Sequence, residues 1–331
     1  MNTYKISGMV FVLLIALAQS AVPQTWTDPS PHRIQFVTIA PNVRLEVLDW
    51  GGRGDTLIFL SGLGLSAHVY DDFAPQFRDH FHVMAVTRRG FGASSQTSYG
   101  YDIETRVKDL VSLLDSLGVA RASFIGHSIA GDELTGLAAR FPSRVRRLVY
   151  LDAACDHTAL LNQPKLPKSK SMIAADSASP GAVRAFWASK KIPLPEAEIR
   201  TWYVFAASGK IEREVTPDSI TGVFLRGSGH PPYSQVSAPA LAIYAMYDSP
   251  DSIVSPSRWA QMDSTERRKT TFYRQWLIDY VSNERARFRR EMHNGEILEI
   301  KRTNYYVNNH YIFVSDSIKV ADAIRRFLAQ P

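Results

Sequence analysis

The sequence predicts an α/β protein in which a mostly parallel sheet carries helices on both faces. Short, continuous apolar runs alternate along the chain with stretches that show helical periodicity. Continuous apolar runs are typical of strands covered on both faces, and their alternation with helices is typical of parallel sheets. With 331 residues, 45% hydrophobic and 21% charged, the chain has the composition of a globular protein with a substantial core.

Eight stretches are predicted to be strands. The first two are rich in β-forming residues and are separated by a Pro41-Asn42 turn signal. The later ones are mostly short apolar runs, and the last is the weakest of the set. The predicted strands are 34–40, 43–50, 56–60, 82–87, 122–126, 147–151, 240–246 and 297–301.

Three stretches are predicted to be helices of the main domain. Apolar residues recur at helical spacing in 101–117, which ends near Gly118, and in 316–328. The third helix is 129–140, which Pro142 follows closely. These helices separate the predicted strands, as a parallel sheet requires.

Two segments interrupt the alternation of strands and helices. Residues 154–237 show no clear strand, several prolines and scattered aromatic residues, and we predict an inserted, mainly helical lobe there. Residues 252–294 contain a long helical stretch, which we predict to be a second helical insertion. Its aromatic residues at helical spacing are interpreted as packing and not as a ligand site.

The first 24 residues resemble an export signal. Lys5 precedes an apolar run at 9–18, and Ala18 and Ser20 supply the small residues that a signal peptidase needs. We predict a signal peptide at 1–20, cleavage after Ser20 and export to the periplasm or outside the cell. The apolar run is shorter than the ~20 residues that span a bilayer, so stable membrane insertion is not expected after cleavage. An uncleaved N-terminal anchor is the alternative.

Charge and cysteine content argue against a nucleic-acid-binding protein and against a fold stabilised by disulfides. The formal net charge of +6 comes without a long block of like charges, so no nucleic-acid partner is expected. Four arginines between 285 and 290 are flanked by Glu284 and Glu291 and are interpreted as a solvated helix face. Cys155 is the only cysteine, which rules out an internal disulfide, and we interpret it as a buried, inert thiol.

A serine stands where a strand turns into a helix. In GHSIAG, residues 126–131, Ser128 follows the apolar run 122–126 and precedes the helix predicted at 129–140. A sharp strand-to-helix turn needs small residues two positions before and after the serine, and Gly126 and Ala130 meet that need. The serine then lies at a helix N-terminus, where a developing negative charge is stabilised.

Three further blocks accompany this turn. They are LIFLSGLGLSAHVYDDF at 57–73, VTRRGFGASS at 86–95, and the pair formed by APALAIYAMYD at 238–248 and NNHYIF at 308–313. Together with the serine turn they resemble the α/β-hydrolase superfamily over nearly all of residues 21–331. The resemblance implies an α/β-hydrolase fold with an eight-stranded, mostly parallel sheet, and it implies that 154–237 caps the pocket.

The chain departs from the family pattern at two positions. Ser61 replaces the histidine that is usual in the first block, and Thr87 replaces the aspartate that is usual in the second. The family's residues at both positions mainly brace loops. The replacements therefore concern loop geometry more than chemistry.

The resemblance also implies a base and an acid for Ser128. The family order is serine, acid, histidine, and His310 matches the family's histidine. Asp248, which follows the strand predicted at 240–246, matches the usual acid and is the first choice. Asp152, at the end of the strand predicted at 147–151, is the alternative acid, and Asp251 lies close enough to Asp248 to complicate the assignment.

The remaining histidines fit the role of base less well. His127 adjoins Ser128 and its side chain is expected to point away from the hydroxyl. His32, His80 and His82 precede the serine, on loops or strand starts. His68 lies in the block 57–73 and could line the pocket, but a packed or solvated role is preferred.

Hydrolysis through an acyl-enzyme is the function implied. The backbone N–H groups of Leu63 and Ile129 would form the oxyanion hole, and His310 would transfer the proton from Ser128 to the leaving group. No metal or organic cofactor is required, and the chain has no phosphate loop and no H-E-x-x-H spacing. The partner expected is a small-molecule acyl substrate, and the oligomeric state is left open.

Carboxylic esters are the first choice of substrate class. An aminopeptidase or amidase similar to proline iminopeptidase, and a lactonase, would use the same residues, so the serine turn does not separate them. Glu196, Glu198, Glu212 and Glu214 are candidate amine-binding residues for the aminopeptidase. A non-catalytic binding protein on the same fold is the alternative from another class. Epoxide hydrolases and haloalkane dehalogenases of this fold use aspartate at the turn, where this chain has Ser128.

Overall fold

The computed structural model describes residues 26–165, 172–246, 254, 256–301 and 310–330. The predicted signal peptide and Asp248 therefore lie outside the described residues. Among the described helices, none is both long and apolar enough to cross a membrane.

Strands and helices alternate through most of the described chain. In chain order the strands are β1 (Arg33–Ala40), β2 (Val43–Gly51), β3 (Asp55–Leu60), β4 (Phe81–Thr87), β5 (Ala122–His127), β6 (Val145–Leu151), β7 (Tyr203–Phe205), β8 (Ile211–Glu214), β9 (Ala240–Ala245) and β10 (Gly295–Ile300). The helices are α1 (Ile103–Ser116), α2 (Ala130–Arg140), α3 (Pro180–Ser189), α4 (Glu196–Trp202), α5 (Asp218–Arg226), α6 (Pro256–Gln261), α7 (Ser264–Glu291), α8 (Ile312–Ser315) and α9 (Ser317–Leu328). Short 3₁₀ turns connect several of them.

Eight of these strands form one sheet in the order β1-β2-β4-β3-β5-β6-β9-β10. β2 is antiparallel to both β1 and β4, and every other neighbouring pair is parallel. The predicted fold class is confirmed, and the eight predicted strands correspond to the eight strands of this sheet. In a sheet of this kind the carboxyl ends of the central strands meet at one edge, where sites form.

Helices cover both faces of the sheet. One apolar cluster packs under α1, α2 and α7, with Leu134 and Phe288 among its fully buried members. The second cluster packs under α9 and the 3₁₀ turns between β3 and β4, with Phe59 and Ile324 fully buried. The strands between the two clusters are buried on both sides, which explains their continuous apolar sequences. The predicted helices 101–117, 129–140 and 316–328 correspond to α1, α2 and α9.

The chain between β6 and β9 leaves the sheet and forms a lobe of α3, α4, α5 and a β7-β8 hairpin. Val183, Leu194 and Ile199 pack from this lobe into the second apolar cluster. The sequence showed no clear strand here, and the hairpin is a departure from that expectation. Its strands have three and four residues, too short for an alternating pattern to be visible.

The second helical segment is dominated by α7, a helix of 28 residues. A capping box starts it, because the Asp263 side chain accepts hydrogen bonds from the helix and Glu266 bonds back to the Asp263 backbone. Near its end, Arg285 pairs with Glu299 at 3.1 Å and Arg287 with Glu291 at 3.1 Å. The arginines at 285 and 287 are thus neutralised by neighbouring carboxylates.

Candidate active site

Ser128 lies at the sharp turn between β5 and α2. Its φ is +55°, in the left-handed region that a residue with a side chain rarely adopts. Two main-chain hydrogen bonds hold this conformation: the Ser128 N–H donates to the carbonyl of Leu151 at 3.1 Å, and the Gly131 N–H donates to the carbonyl of Ser128 at 2.9 Å. The strained turn leaves the Ser128 side chain half-buried at the carboxyl edge of the sheet.

The small residues around Ser128 are needed for close packing. A Cβ at Gly126 would lie 2.9 Å from the Cβ of Ala130 and 2.8 Å from a Leu134 methyl group. A Cβ at Gly131 would lie 1.8 Å from the carbonyl oxygen of Ala153. Alanine is accepted at position 130 because Gly126 has no Cβ to clash with it. At position 131 only glycine avoids a clash with the Ala153 carbonyl.

His310 and Asp152 are paired at the same edge. The Nδ1 of His310 lies 2.7 Å from Oδ2 of Asp152, and the His310 side chain is 34% exposed. Asp152 follows β6 directly, so it lies next to the Ser128 turn at the end of β5. Nδ1 faces the carboxylate, and Nε2 is consequently on the opposite side of the ring.

Asp152 is fixed by more than His310. Its φ is +47°, its N–H donates to the carbonyl of Ile243 at 2.8 Å, and its Oδ1 accepts from the N–H of Ala245 at 3.0 Å. The carboxylate thereby bridges the ends of β6 and β9 and holds a defined orientation toward His310. Asp248, the first-choice acid, and Asp251 lie outside the described residues, so the pairing found is that of the alternative acid.

His127 is a residue whose importance the sequence did not reveal. It is fully buried behind the Ser128 turn, and its Nε2 lies 2.9 Å from the main-chain carbonyl oxygen of His310. A carbonyl only accepts hydrogen bonds, so Nε2 carries the proton. Burial, with the neighbouring His310 adding to it, lowers the pKa of His127 well below its usual value and keeps the ring neutral.

Neighbouring rings pack against His127 and hold it in place. The ring centroid of His127 lies 4.5 Å from that of His310 and 5.1 Å from that of Phe313. On the other side, a Cβ at Gly62 would lie 2.7 Å from Nδ1 of His127, so only glycine allows this approach. His127 thus packs between the loop after β3 and the segment that carries His310.

The loop after β3 carries Leu63, one of the two predicted oxyanion donors. The hydroxyl of Ser61 donates to the carbonyl of Leu65 at 3.0 Å, and the Leu65 N–H donates to the carbonyl of Gly62 at 3.3 Å. Neither Leu63 nor Ile129 uses its N–H in a hydrogen bond to another described residue. Ser61, which replaces the family's histidine, therefore still braces the loop.

Thr87, the second departure from the family pattern, also braces loops. Its hydroxyl donates to Oε2 of Glu46 at 2.7 Å and accepts from the N–H of Ala67 at 2.9 Å. Ser94 closes the same region by donating to the Thr87 carbonyl at 2.6 Å. Glu46 supplies the carboxylate that an aspartate at position 87 would otherwise bring.

A buried ion pair contacts the loop after β3. Arg88 and Glu133 form a bidentate pair, with contacts of 2.6 to 2.8 Å, and both residues are buried. The same guanidinium lies 3.4 Å from the carbonyl of Gly62. The pair links α2, which begins beside Ser128, to the loop that carries Leu63.

The lobe between β6 and β9 docks on this loop through one carboxylate. Glu198 of α4 is completely buried and accepts hydrogen bonds from the Ser66 N–H at 3.0 Å, from the Ser66 hydroxyl and from Nε1 of Trp202 at 2.7 Å. Burial raises the pKa of Glu198 to about 7, although these hydrogen bonds oppose the shift. Glu198 therefore titrates near neutral pH at the contact between the lobe and the loop.

A cavity of about 160 Å³ opens between the lobe and the main domain. The main domain contributes Gly64 and Gly92, and the lobe contributes the rest of the lining, which includes Trp202, Glu214 and Asp218. The cavity therefore adjoins Leu63 through Gly64. Its lining combines aromatic and carboxylate groups.

Comparisons with known proteins agree with this architecture. Residues 55–274 match the family model of the alpha/beta hydrolase fold. A putative non-heme haloperoxidase of Mycobacterium phage D29 is 38% identical over 104 residues, which are 31% of this chain and 37% of the phage protein. The bifunctional esterase/perhydrolase DCH of Acinetobacter calcoaceticus is 34% identical over 110 residues, 33% of this chain and 40% of that protein. The chain spans less than half the length of these curated relatives.

A solved structure extends the likeness to most of the chain. The crystal structure of E-2-(acetamidomethylene)succinate hydrolase matches with a TM-score of 0.62 at 19% identity, over 90% of this chain and 100% of that one. At that identity the likeness concerns the fold alone. With the family model matching two thirds of its residues, and with a serine turn between β5 and α2, this chain belongs to the α/β hydrolase family.

Proposed function

We propose that the protein is a serine hydrolase that cleaves carboxylic esters. The observation that carries the proposal is the 2.7 Å contact between Nδ1 of His310 and the carboxylate of Asp152, beside the strained turn of Ser128. A serine becomes a nucleophile when a histidine takes its proton and a carboxylate orients that histidine. Ser128 follows β5, Asp152 follows β6, and His310 lies shortly before α8.

In the proposed mechanism, Nε2 of His310 removes the proton of Ser128, and the serine oxygen attacks the acyl carbonyl. The N–H groups of Leu63 and Ile129 stabilise the oxyanion, and each donor contributes about 3 kcal/mol of transition-state stabilisation. His310 then gives the proton to the departing alcohol, and water hydrolyses the acyl-enzyme by the same route. Asp152 keeps the proton of His310 on Nδ1 and stabilises the imidazolium.

Esters are preferred over amides because an alcohol leaves with less help from protonation than an amine. One relative, the bifunctional esterase/perhydrolase of Acinetobacter calcoaceticus, has an esterase activity in its name. Two of the four glutamates considered for amine binding are already engaged, since Glu196 pairs with Arg200 at 2.6 Å and Glu198 is buried where the lobe meets the loop after β3. Glu212 and Glu214 remain as a basis for an aminopeptidase, and Glu214 lines the cavity.

The test is hydrolysis of a chromogenic panel by the wild-type protein, Ser128→Ala and Ser116→Ala. Ser116 lies at the end of α1, where its hydroxyl donates to the Thr38 carbonyl, and it is the matched control. The panel contains p-nitrophenyl esters of increasing chain length, amino-acid p-nitroanilides and a lactone. We expect ester hydrolysis by the wild type and by Ser116→Ala, and a loss of at least 10³-fold in Ser128→Ala.

Labelling with a fluorophosphonate separates the alternatives. We expect the wild type to be labelled stoichiometrically and Ser128→Ala to remain unlabelled. Anilide turnover that depends on Ser128 would replace the esterase proposal with an aminopeptidase, and lactone turnover alone would replace it with a lactonase. A wild type that is neither labelled nor active would point to a binding protein.

A further inference from the structure

Two histidines and two aspartates meet in a pocket outside the proposed active site. Asp28 and His32 lie in the segment before β1, and His68 and Asp71 lie in and directly after the 3₁₀ turn Ala67–Tyr70. Each offers one potential ligand atom, and these four atoms lie within 4.8 Å of one another. No short motif joins the residues, because the two pairs are far apart in the sequence.

Each residue of the cluster has a nitrogen-to-carboxylate contact of 3.5 Å or less with another member. Nδ1 of His68 lies 3.2 Å from Oδ2 of Asp28 and 3.2 Å from Oδ2 of Asp71. Nδ1 of His32 lies 3.1 Å from Oδ1 of Asp71, and its Nε2 lies 3.5 Å from Oδ2 of Asp28. In a tetrahedral zinc site with bonds of ~2.0–2.1 Å, neighbouring ligand atoms are about 3.3 Å apart.

Although these atoms lie close together, several of them make no hydrogen bond of suitable geometry with any described residue. They are Oδ2 of Asp28, Nδ1 of His32 and Oδ1 of Asp71, and all three are buried. The side chains of His32 and Asp71 are only 2% and 4% exposed. A buried polar atom without a partner costs about 1–3 kcal/mol, and a cation between them would satisfy all three atoms at once.

A carboxylate behind His68 completes the arrangement. Oε1 of Glu46 lies 3.6 Å from Nε2 of His68, on the side of the ring opposite to Asp28 and Asp71. Histidine ligands of metals usually face a second carboxylate with their other ring nitrogen. With Glu46, three carboxylates surround two imidazoles, and a divalent cation offsets two of their three negative charges.

We propose that Asp28, His32, His68 and Asp71 bind one zinc ion. Two imidazole nitrogens and two carboxylate oxygens are a donor set that favours zinc over calcium or magnesium, which prefer oxygen ligands. Four protein ligands leave no open coordination position, so the ion is structural and takes no part in hydrolysis. Asp28 has the most exposed side chain of the four, at 17%, so the ion enters beside Asp28.

The zinc ion fastens the segment before β1 to the loop that approaches the proposed active site. The N–H of His68 lies 3.2 Å from the Ser66 hydroxyl, which in turn contacts Glu198 of the lobe.

The experiment measures zinc binding and thermal stability on the full chain. The protein is stripped with a chelator, dialysed and titrated with zinc chloride in competition with a chromophoric chelator. We expect one zinc ion per chain and an unfolding midpoint that rises by several degrees on zinc addition. Cobalt(II) in place of zinc should give the intense visible absorption of a four-coordinate ion.

Variants locate the site. We expect His32→Gln and Asp71→Asn to lose both the stoichiometric binding and the rise in the unfolding midpoint. His82→Gln is the matched control, because His82 forms a 2.9 Å contact with Asp49 outside the cluster and should leave zinc binding unchanged. If the cluster variants do not fold, the wild-type titration and the cobalt spectrum still decide.

Three results would overturn the proposal. Wild-type protein that binds less than one equivalent of zinc with no rise in midpoint would show that the contacts among the four side chains alone hold the cluster. Equal zinc binding by His32→Gln and the wild type would place the ion elsewhere. A stabilisation by calcium chloride that exceeds that by zinc would contradict the donor assignment.

Discussion

The Nε2–H of His127 donates a hydrogen bond to the main-chain carbonyl of His310 across 2.9 Å. The residue before the serine of the turn is thereby connected to the backbone of the histidine that pairs with Asp152. Because His127 is fully buried and neutral, the bond does not compete with water. We assign His127 as a positioning residue: it fixes the backbone from which the His310 ring extends.

Replacement of His127 tests this role. We expect His127→Ala to lower kcat for ester hydrolysis by about 10–100-fold with little change in KM, because a small displacement of the base affects the chemical step more than binding. Steady-state kinetics on a p-nitrophenyl ester measures the split. His127→Gln, whose amide N–H reaches nearly as far, should recover part of the lost kcat.

The alternative is that His127 only fills space. In that case His127→Ala would lower the unfolding midpoint while kcat per folded molecule stayed at the wild-type value, and His127→Gln would give no recovery. The rate of fluorophosphonate labelling provides a second readout, since it reports the reactivity of Ser128 without substrate turnover.

The acid is tested by a pair of substitutions. We expect Asp152→Asn to reduce kcat by roughly 10³–10⁴-fold, because the amide no longer holds the Nδ1 proton of His310 or stabilises its imidazolium. Asp248→Asn should reduce it by less than 10-fold. The kcat of each variant on the same ester decides between the two aspartates, and the opposite order would restore Asp248 as the acid.

The strands were predictable because short, continuous apolar runs alternate with stretches of helical periodicity along the chain. The eight predicted strands and three predicted helices of the main domain correspond to those found, since a parallel sheet buried on both faces leaves a continuous apolar signature. The Ser128 turn was predictable for a similar reason: its steric demand leaves small residues at fixed offsets. Local sequence was sufficient for each of these features.

The partners of Ser128 were harder to predict because they depend on three-dimensional proximity. Asp152 and Asp248 both follow predicted strands, and nothing in the local sequence distinguishes the one that contacts His310. The bond from His127 to the His310 carbonyl joins residues 183 positions apart, so local sequence could not reveal it. The proposed zinc ligands could not be predicted for the same reason, since three strands separate Asp28 and His32 from His68 and Asp71.

Adding a methyl group at Gly131 should destabilise the protein more than removing the methyl group of Ala130. Gly131→Ala places a Cβ on the Ala153 carbonyl, so the backbone itself must move, and we expect a loss of about 3 kcal/mol in the free energy of unfolding. Ala130→Gly removes a methyl group without a clash and should cost about 1 kcal/mol or less. Urea denaturation followed by circular dichroism measures each loss.

A double substitution checks the explanation for Ala130. Gly126→Ala brings two methyl carbons within 2.9 Å of each other, and removing the second methyl in Gly126→Ala/Ala130→Gly should restore part of the lost stability. The remaining neighbour is the end of the flexible Leu134 side chain, which can shift. Strictly additive losses would mean that the two positions do not compete for space.

Glu198 makes the attachment of the lobe dependent on pH. Burial raises the folded-state pKa of this carboxyl to about 7, above the ordinary value of 4.5 that it has in the unfolded chain. Between these two values the folded protein holds a proton that the unfolded chain has released. Raising the pH from 4.5 to 7 therefore lowers the stability contributed by Glu198, and above pH 7 the loss is complete.

We expect Glu198→Gln to remove this dependence. The amide cannot ionise, and its oxygen still accepts one of the hydrogen bonds from Ser66 or Trp202. Unfolding midpoints of wild type and variant, measured from pH 5 to pH 8.5, should show the wild type losing stability relative to Glu198→Gln as the pH rises toward 7, and a constant difference beyond it. Other groups titrate equally in both proteins, so only the difference between the two curves matters. A difference that does not change with pH would mean that Glu198 is already ionised at pH 5 and that the hydrogen bonds of Ser66 and Trp202 outweigh the effect of burial.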